Sequence, residues 1–411
     1  MTATTDEVEA AREEMIRQLV ELKAILSPEV EAAVRAVPRH LFIPEVPVAQ
    51  AYAPEESPVT KRDEHGIAIS SVSASRVQAL MLEQAQIRPG MNVLEIGSGG
   101  YNAALIAELV GPEGRTTSID IDQDVTDRAR RCLDAAGYQQ VNVVRVDGEE
   151  GEPQHAPYDR IVVTVQTADI PPAWTGQLAE GGRIVAPVRV QGLTRSIALD
   201  LVGGHLVSRN YELCGFVPMQ GAGENRMRSV LLHDAPGEEV GLRFDGVTPN
   251  DGQVKELSAA LTPPRAEVWS GVRIGGMESL DNLDLWLASV LPGFALLTAA
   301  RGARESGIVA SSSPIGTPAT VRGGSLAYRM SRPLDEDRTL FELGACGHGP
   351  DAKALAEQVA EQIKTWDREH RTDRATFGVY PVGSTDVVPP SADLVVTRAH
   401  TRTTISWPSH A

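Results

Sequence analysis

The stretch Val93-Leu-Glu-Ile-Gly-Ser-Gly-Gly-Tyr-Asn102 constrains this chain more than any other. Val93, Leu94 and Ile96 make an apolar run of buried-strand length. Gly97, Gly99 and Gly100, around Ser98, form a turn, and an apolar helix starts near Asn102. A strand, a glycine turn and a helix in that order build a nucleotide pocket. Glycine lets backbone approach a ligand, and the first N–H groups of the helix lack intrahelical acceptors. Asp120 ends the next strand-like run, 23 residues past Gly97, where such folds hydrogen-bond a ribose hydroxyl. Asp122 is its substitute. The turn is not G-x-G-x-x-G, so a dinucleotide site and a purely structural turn both stay open. Glu95 stands between two apolar neighbours, and a carboxylate buried there needs a donor.

Around this unit, strand-like and helical runs alternate. Strands are expected at 116–120, 141–146, 160–165 and 183–187, with helices over 123–136 and 172–179. That alternation gives a parallel sheet covered by helices. The runs 196–201 and 205–213 read as an antiparallel hairpin around Gly203-Gly204, closing the sheet edge. Two helices precede the sheet: Val8, Met15, Leu19, Leu22 and Leu26 share one helical face, and Pro28 opens the second. Residues 52–60 read as turn-rich. From about 229 the pattern changes. Apolar stripes at Leu280–Val290 and Leu355–Trp366 mark helices, and strands are expected at 294–298, 325–330, 339–343, 376–380 and 401–407. The chain thus divides into 1–225 and an α+β region, 226–411. Cys346-Gly-His348 reads as a turn, since two ligands without a partner pair do not make a metal site.

Among the 411 residues, Asp plus Glu is 55 and Lys plus Arg is 38, a net charge of −17. Such a surface repels phosphate backbones, so no nucleic-acid partner is expected. Three scattered cysteines, Cys132, Cys214 and Cys346, suit a reducing cytoplasm. The segment from Met1 to Glu14 is acidic, and no run has membrane-spanning length.

Five blocks in order carry a family resemblance. They are Pro38-Arg-His-Leu-Phe-Ile-Pro44, Ser71-Val-Ser-Ala74, Val93-Leu-Glu-Ile-Gly97, Ala156-Pro-Tyr-Asp-Arg-Ile-Val-Val-Thr164 and Leu178-Ala-Glu-Gly-Gly-Arg-Ile-Val-Ala-Pro187, followed by Phe216-Val-Pro-Met219. With them, residues 8 to 220 resemble the protein-L-isoaspartate O-methyltransferase family. The glycine turn is one residue shorter than that family's, Ser70-Ser-Val-Ser-Ala-Ser-Arg76 departs from its serine motif, and the loop Lys61–Gly66 looks remodelled. With the extra C-terminal region, these departures resemble the actinobacterial branch found in lanthipeptide and similar peptide pathways.

The resemblance implies a Rossmann-like class I methyltransferase sheet, S-adenosyl-L-methionine as cofactor, and a peptide or protein carrying an aspartyl or isoaspartyl carboxylate as substrate. Glu95, Gly97, Ser98, Gly99 and Gly100 would face the methionine part of the cofactor. Asp120, or Asp122, would hold the ribose, Asp147 and Gly148 the adenine amine, and Thr164 the acceptor side with Val165 and Gln166. Ser73 would donate to the substrate carboxylate, with Ser71 and Ser70 as replacements; a helix cap is its other reading. No metal is implied. The expected function is methylation of an aspartyl side chain in a ribosomally made peptide. Repair of L-isoaspartyl protein is the first alternative, and a catalytically silent peptide-binding module the second. The C-terminal region would grip the peptide or form a homodimer.

Overall fold

A computed structural model describes residues 4–409, apart from 263, 311–312, 314–315 and 385–387. Two helices form first, but the first stops at Glu21, short of the Leu22 and Leu26 assigned to its apolar face, and both of these are exposed. Thr4 and Glu7 make a capping box for Thr5–Glu21, and Ser27 caps Pro28–Ala36 with proline at its first position. Met15, Leu19, Val30 and Val34 are buried from them in one core with the glycine-turn helix Tyr101–Val110. Residues 52–58 are turns as expected, whereas the remodelled loop belongs to a hairpin, β1 (Val59–Arg62) and β2 (Ala68–Ser71), which forms a sheet of its own.

Five parallel strands follow: β3 (Asn92–Ile96), β4 (Arg115–Asp120), β5 (Asn142–Arg145), β6 (Tyr158–Val163) and β7 (Leu178–Val190). Their order is β7-β6-β3-β4-β5. From β3 the chain moves outward through β4 and β5, then returns to lay β6 on the other side of β3. The winding reverses there, so a crevice opens beyond the carboxyl ends of β3 and β6. The helix Gln123–Ala136 matches its expected bounds. The helix expected over 172–179 stops at Gly176, because Leu178 already pairs with Tyr158. β8 (Leu193–Val202) and β9 (His205–Leu213) form the expected antiparallel hairpin, with Gly203 and Gly204 at φ +57° and +93°.

Beyond residue 225, seven strands among the described residues, between Arg228 and His348, build a wholly antiparallel second sheet. The helices Asp281–Val290 and Ala352–Thr365 lie where the apolar stripes placed them. The chain then crosses back. Thr376–Pro381 pairs with β9, Thr401–Ser406 pairs with Thr376–Pro381, and Leu394–Thr397 lies outermost. The first sheet thereby reaches ten strands. The second sheet thus lies wholly within 226–411, while the last three strands of that region join the first sheet.

Cys346 and His348 lie in the strand Leu340–His348 and not in a turn. Both are buried, with His348 Nε2 3.1 Å from Tyr328 Oη and 3.6 Å from Cys346 Sγ. Burial pulls the His348 pKa down to about 4, so the imidazole is neutral at pH 7 and the trio is a core contact. No described helix is long and apolar enough to cross a membrane.

Candidate active site

The crevice is closed tightly where β3 and β6 end. Gly97 has φ +96°, and a Cβ there would lie 2.7 Å from Thr164 Oγ1 and 2.9 Å from Val165 Cγ1. Thr164 N donates to Ile96 O at 2.7 Å and its hydroxyl to Gly97 O at 2.6 Å. At Gly100, with φ +80°, a Cβ would press on the Phe42 ring at 3.2 Å. Side chains are thus excluded at both ends of the turn by backbone conformation and by neighbours. Ser98 and Gly99 between them face the crevice.

Two carboxylates organise the polar wall. Asp120, ending β4, accepts from Ser98 N at 3.0 Å and from Asp122 N at 2.9 Å, so it ties the glycine turn to the next loop. Burial raises its pKa. Glu95 is fully buried in β3 and accepts from Asn102 Nδ2 at 2.9 Å and from Ser118 Oγ. Burial, with a smaller push from the nearby Asp120, raises its pKa to about 7 against those two hydrogen bonds. In the unfolded chain Glu95 ionises near its ordinary 4.5, whereas the folded protein keeps the proton until about pH 7. Its stabilising contribution is therefore complete below pH 4.5 and lost as pH rises through 7, roughly 3 kcal/mol at most. Urea unfolding across that window should show a decline that Glu95→Gln lacks; parallel pH curves for the two proteins would contradict this.

Two adjoining chambers occupy the crevice. The first is polar, bounded by Glu95, Ser98, Asn102, Gln78 and residues 70–73. The second is apolar, bounded by Ile96, Ile119, Ile121, Val125, Pro218 and Met219. Gly97, Asp120, Val165 and Ile69 line both, so the Asp120 carboxylate stands at their junction.

The β1–β2 hairpin contributes Ile69 to both chambers and is latched at two points. Lys61 Nζ lies 2.6 Å from Asp122 and 2.7 Å from Asp124, and Gln220 Nε2 donates to Ile69 O at 3.4 Å. Lys61→Ala should speed hydrogen exchange of the hairpin amides several-fold while leaving β3 and β4 protected. Unchanged hairpin exchange would show that the latch is idle.

The expected site residues are brought together only in part. Glu95, Gly97, Ser98, Gly99, Asp120, Thr164 and Ser70, Ser71 and Ser73 line the first chamber, and Gly148 the second. Asp122 lines neither: it caps the helix Gln123–Ala136 through Asp124 N and is held by Lys61. Asp147 also lines neither. It caps the turn Gly148–Glu150 and accepts from Ala222 N at 2.9 Å, so only its neighbour Gly148 reaches the chamber. Gly100 supports the turn from behind. Ser70 Oγ is engaged by Thr60 at 2.9 Å and Ser71 Oγ by Ser57 at 3.3 Å. The Ser73 hydroxyl has no partner among the described residues. It is not a helix cap either, since Ala74 is the N-cap of Ser75–Ala85 and no side chain caps it. Arg39 Nη2 donates to Ser73 O at 2.8 Å and so fixes that residue's backbone.

Sequence reasoning missed Gln78, Ile121, Val125 and Arg39. Ile121 and Val125 had no visible signal, because an apolar residue beside an acidic strand end is ordinary core. Arg39 did, as a lone cation inside an otherwise apolar block. The arrangement offers an apolar slot, a carboxylate suited to a vicinal diol, and a polar end with a free hydroxyl.

Comparison with known proteins agrees with this geometry. The family model described as Protein-L-isoaspartate(D-aspartate) O-methyltransferase (PCMT) matches residues 10–224, just over half of the chain. The protein-L-isoaspartate O-methyltransferase of Methanococcoides burtonii is 39% identical over 190 residues, which are 46% of this chain and 90% of the relative. That of Ignicoccus hospitalis is 41% identical over 182 residues, 44% of this chain and 83% of the relative. A solved protein-L-isoaspartate O-methyltransferase structure is similar at 22% identity and a TM-score of 0.48, covering 87% of this chain and 92% of its own. The family match stops at residue 224, just before the second sheet begins at Arg228. With the matched segment holding the whole crevice from Arg39 to Gln220, this chain belongs to the protein-L-isoaspartate(D-aspartate) O-methyltransferase family.

Proposed function

We propose that this chain methylates the side-chain carboxylate of an L-isoaspartyl residue in a protein or peptide, with S-adenosylmethionine as donor. The observation that carries the reading is Asp120 at the junction of an apolar and a polar chamber in a member of this family. The apolar chamber fits an adenine ring, Asp120 fits the two ribose hydroxyls, and Ser98, Asn102 and Glu95 fit the charged amino-acid end. Bound there, the donor supplies an electrophilic methyl group on a sulfonium.

The acceptor needs no base. A carboxylate with an ordinary pKa of about 4 is already ionised at pH 7. The chain's task is to orient it and keep it dry. Ser73 presents its free hydroxyl to one carboxylate oxygen and leaves the other to react. The latched hairpin forms one wall of the crevice. Alignment of this kind contributes on the order of 7–11 kcal/mol to a barrier. Once the ester exists, the next backbone nitrogen of the substrate attacks its carbonyl carbon, methanol leaves, and a succinimide closes without further help from the protein.

A second reading is an aspartyl side chain in a ribosomally made, lanthipeptide-like peptide, with the imide or isoaspartate as product. The added antiparallel sheet favours it, as a unit for holding one dedicated peptide; the names of the relatives favour the isoaspartyl acceptor. Two peptides of one sequence separate them, one isoaspartyl and linear, the other aspartyl and cyclised. We expect a base-labile methyl ester on the first. An ester on the second alone would transfer the assignment, and no ester on either would leave the silent binding module.

A further inference from the structure

We infer that the seam between the two sheets is a second recognition site, which holds an acidic segment flanking the methyl-accepting residue; this rests on the methyl-transfer reading above. The seam is a groove of about 670 Å³ between the β7–β8 hairpin, residues 213–218 and the second sheet. That is room for a few residues of peptide. Arginines line it from both sides: Arg189 and Arg195 from β7 and β8, Arg243 and Arg329 from the second sheet, and Arg226 between them.

Two carboxylates share the groove and are already engaged. Asp284 pairs with Arg329 at 2.9 Å, and Asp281 pairs with Arg195 across the seam. An adjoining recess of about 300 Å³ shares Asn225 and Arg226 and adds Arg228 and Arg398, with Asp245 and with Glu224, which pairs with Arg226. Asp245 serves both Arg189, at 3.0 Å, and Arg398, at 2.7 Å. Among the described residues, seven arginines thus meet four carboxylates. That cationic surplus stands in a chain of net charge −17, whose remaining surface repels acidic partners. Guanidinium forks match carboxylates in two-point contact, so glutamate or aspartate side chains are the ligand that the seam selects.

The seam lies within reach of the acceptor. Val165 and Val217 line the polar chamber, whereas their neighbours Gln166 and Pro218 line the groove. Gln166 N donates to Val217 O at 2.8 Å and Met219 N to Gln166 O at 2.9 Å, so one ribbon of two paired segments separates the spaces. Three extended residues span about 10 Å. A substrate with its acceptor in the chamber therefore places carboxylates some three to five residues away in the seam.

The test uses the full chain and fluorescently labelled isoaspartyl peptides carrying a run of Glu, or of Gln, at that distance. Anisotropy should give the Glu peptide a Kd on the order of tenfold lower, with the advantage shrinking as salt rises. Arg226→Ser with Arg243→Ser should bring the ratio of the two Kd values to about one. Arg226→Ser alone, at a side chain 82% exposed, should reduce it without endangering the fold. Equal binding of the Glu and Gln peptides, or a preference that survives the double substitution, overturns the proposal. So does displacement of the Glu peptide by an equal concentration of single-stranded oligonucleotide, which would assign the seam to phosphates. Ester formation is scored separately. Its absence with the Glu preference intact refutes the methyl-transfer reading and not the seam.

Discussion

Asp120→Ala weakens binding of S-adenosylhomocysteine by about 1–3 kcal/mol, a factor of roughly 5 to 150 in Kd. The carboxylate stands where the apolar and polar chambers meet, and each of its oxygens has a lone pair left after accepting Ser98 N and Asp122 N. Removing it deletes the acceptors proposed for the ribose hydroxyls and also frees the glycine turn from β4. Both effects act on affinity. The cost to folding is smaller, because the substitution also removes a carboxyl whose burial is unfavourable. Calorimetric titration therefore shows the loss while the urea midpoint of the unliganded protein moves little. Unchanged affinity would detach Asp120 from the donor site. A silent pocket would give no heat with either protein.

The second large effect falls on stability. Arg39 is fully buried without a carboxylate partner among the described residues, and burial holds its pKa below the ordinary arginine value. Its guanidinium donates to Ala51 O at 2.8 Å, Gln78 Oε1 at 2.9 Å and Ser73 O at 2.8 Å, and it lies 4.8 Å from the centre of the Tyr101 ring. A planar fork makes those three contacts in different directions; an ammonium cannot. Arg39→Leu leaves three buried acceptors unsatisfied at about 1–3 kcal/mol each, so a total loss of about 3–5 kcal/mol is expected in urea unfolding. Arg39→Lys should recover little of it. In whatever fraction stays folded, methyl transfer should lose kcat more than KM, because the Ser73 backbone is no longer pinned. A loss under 1 kcal/mol would mean that water replaces the guanidinium without cost.

Much of this site was legible in advance because local rules agree there. The apolar run 93–96, the glycines after it and the acid at 120 each demand the same strand, turn and strand end, so no tertiary knowledge was needed. What a sequence pattern does not show is where a side chain turns. Asp122 and Asp147 stand beside the right strand ends, yet each is drawn to a nearby N–H as a cap, and Lys61 completes the capture of Asp122. Pattern reading places an acid at a strand end but cannot see a lysine 61 residues upstream. The same limit hid the hairpin, whose short strands alternate poorly and are only half-buried. The strands at 376–381 and 401–406 were visible as strands. Their pairing with β9 was not, because alternation reveals a buried face and never names the neighbour.

The most direct test is a crystal of this chain soaked with S-adenosylhomocysteine. The account predicts the adenine between Ile121, Val125 and Met219, the ribose hydroxyls on Asp120, and the sulfur facing Ser73. Density for the nucleoside in any other cavity, or a ribose turned away from Asp120, would contradict it.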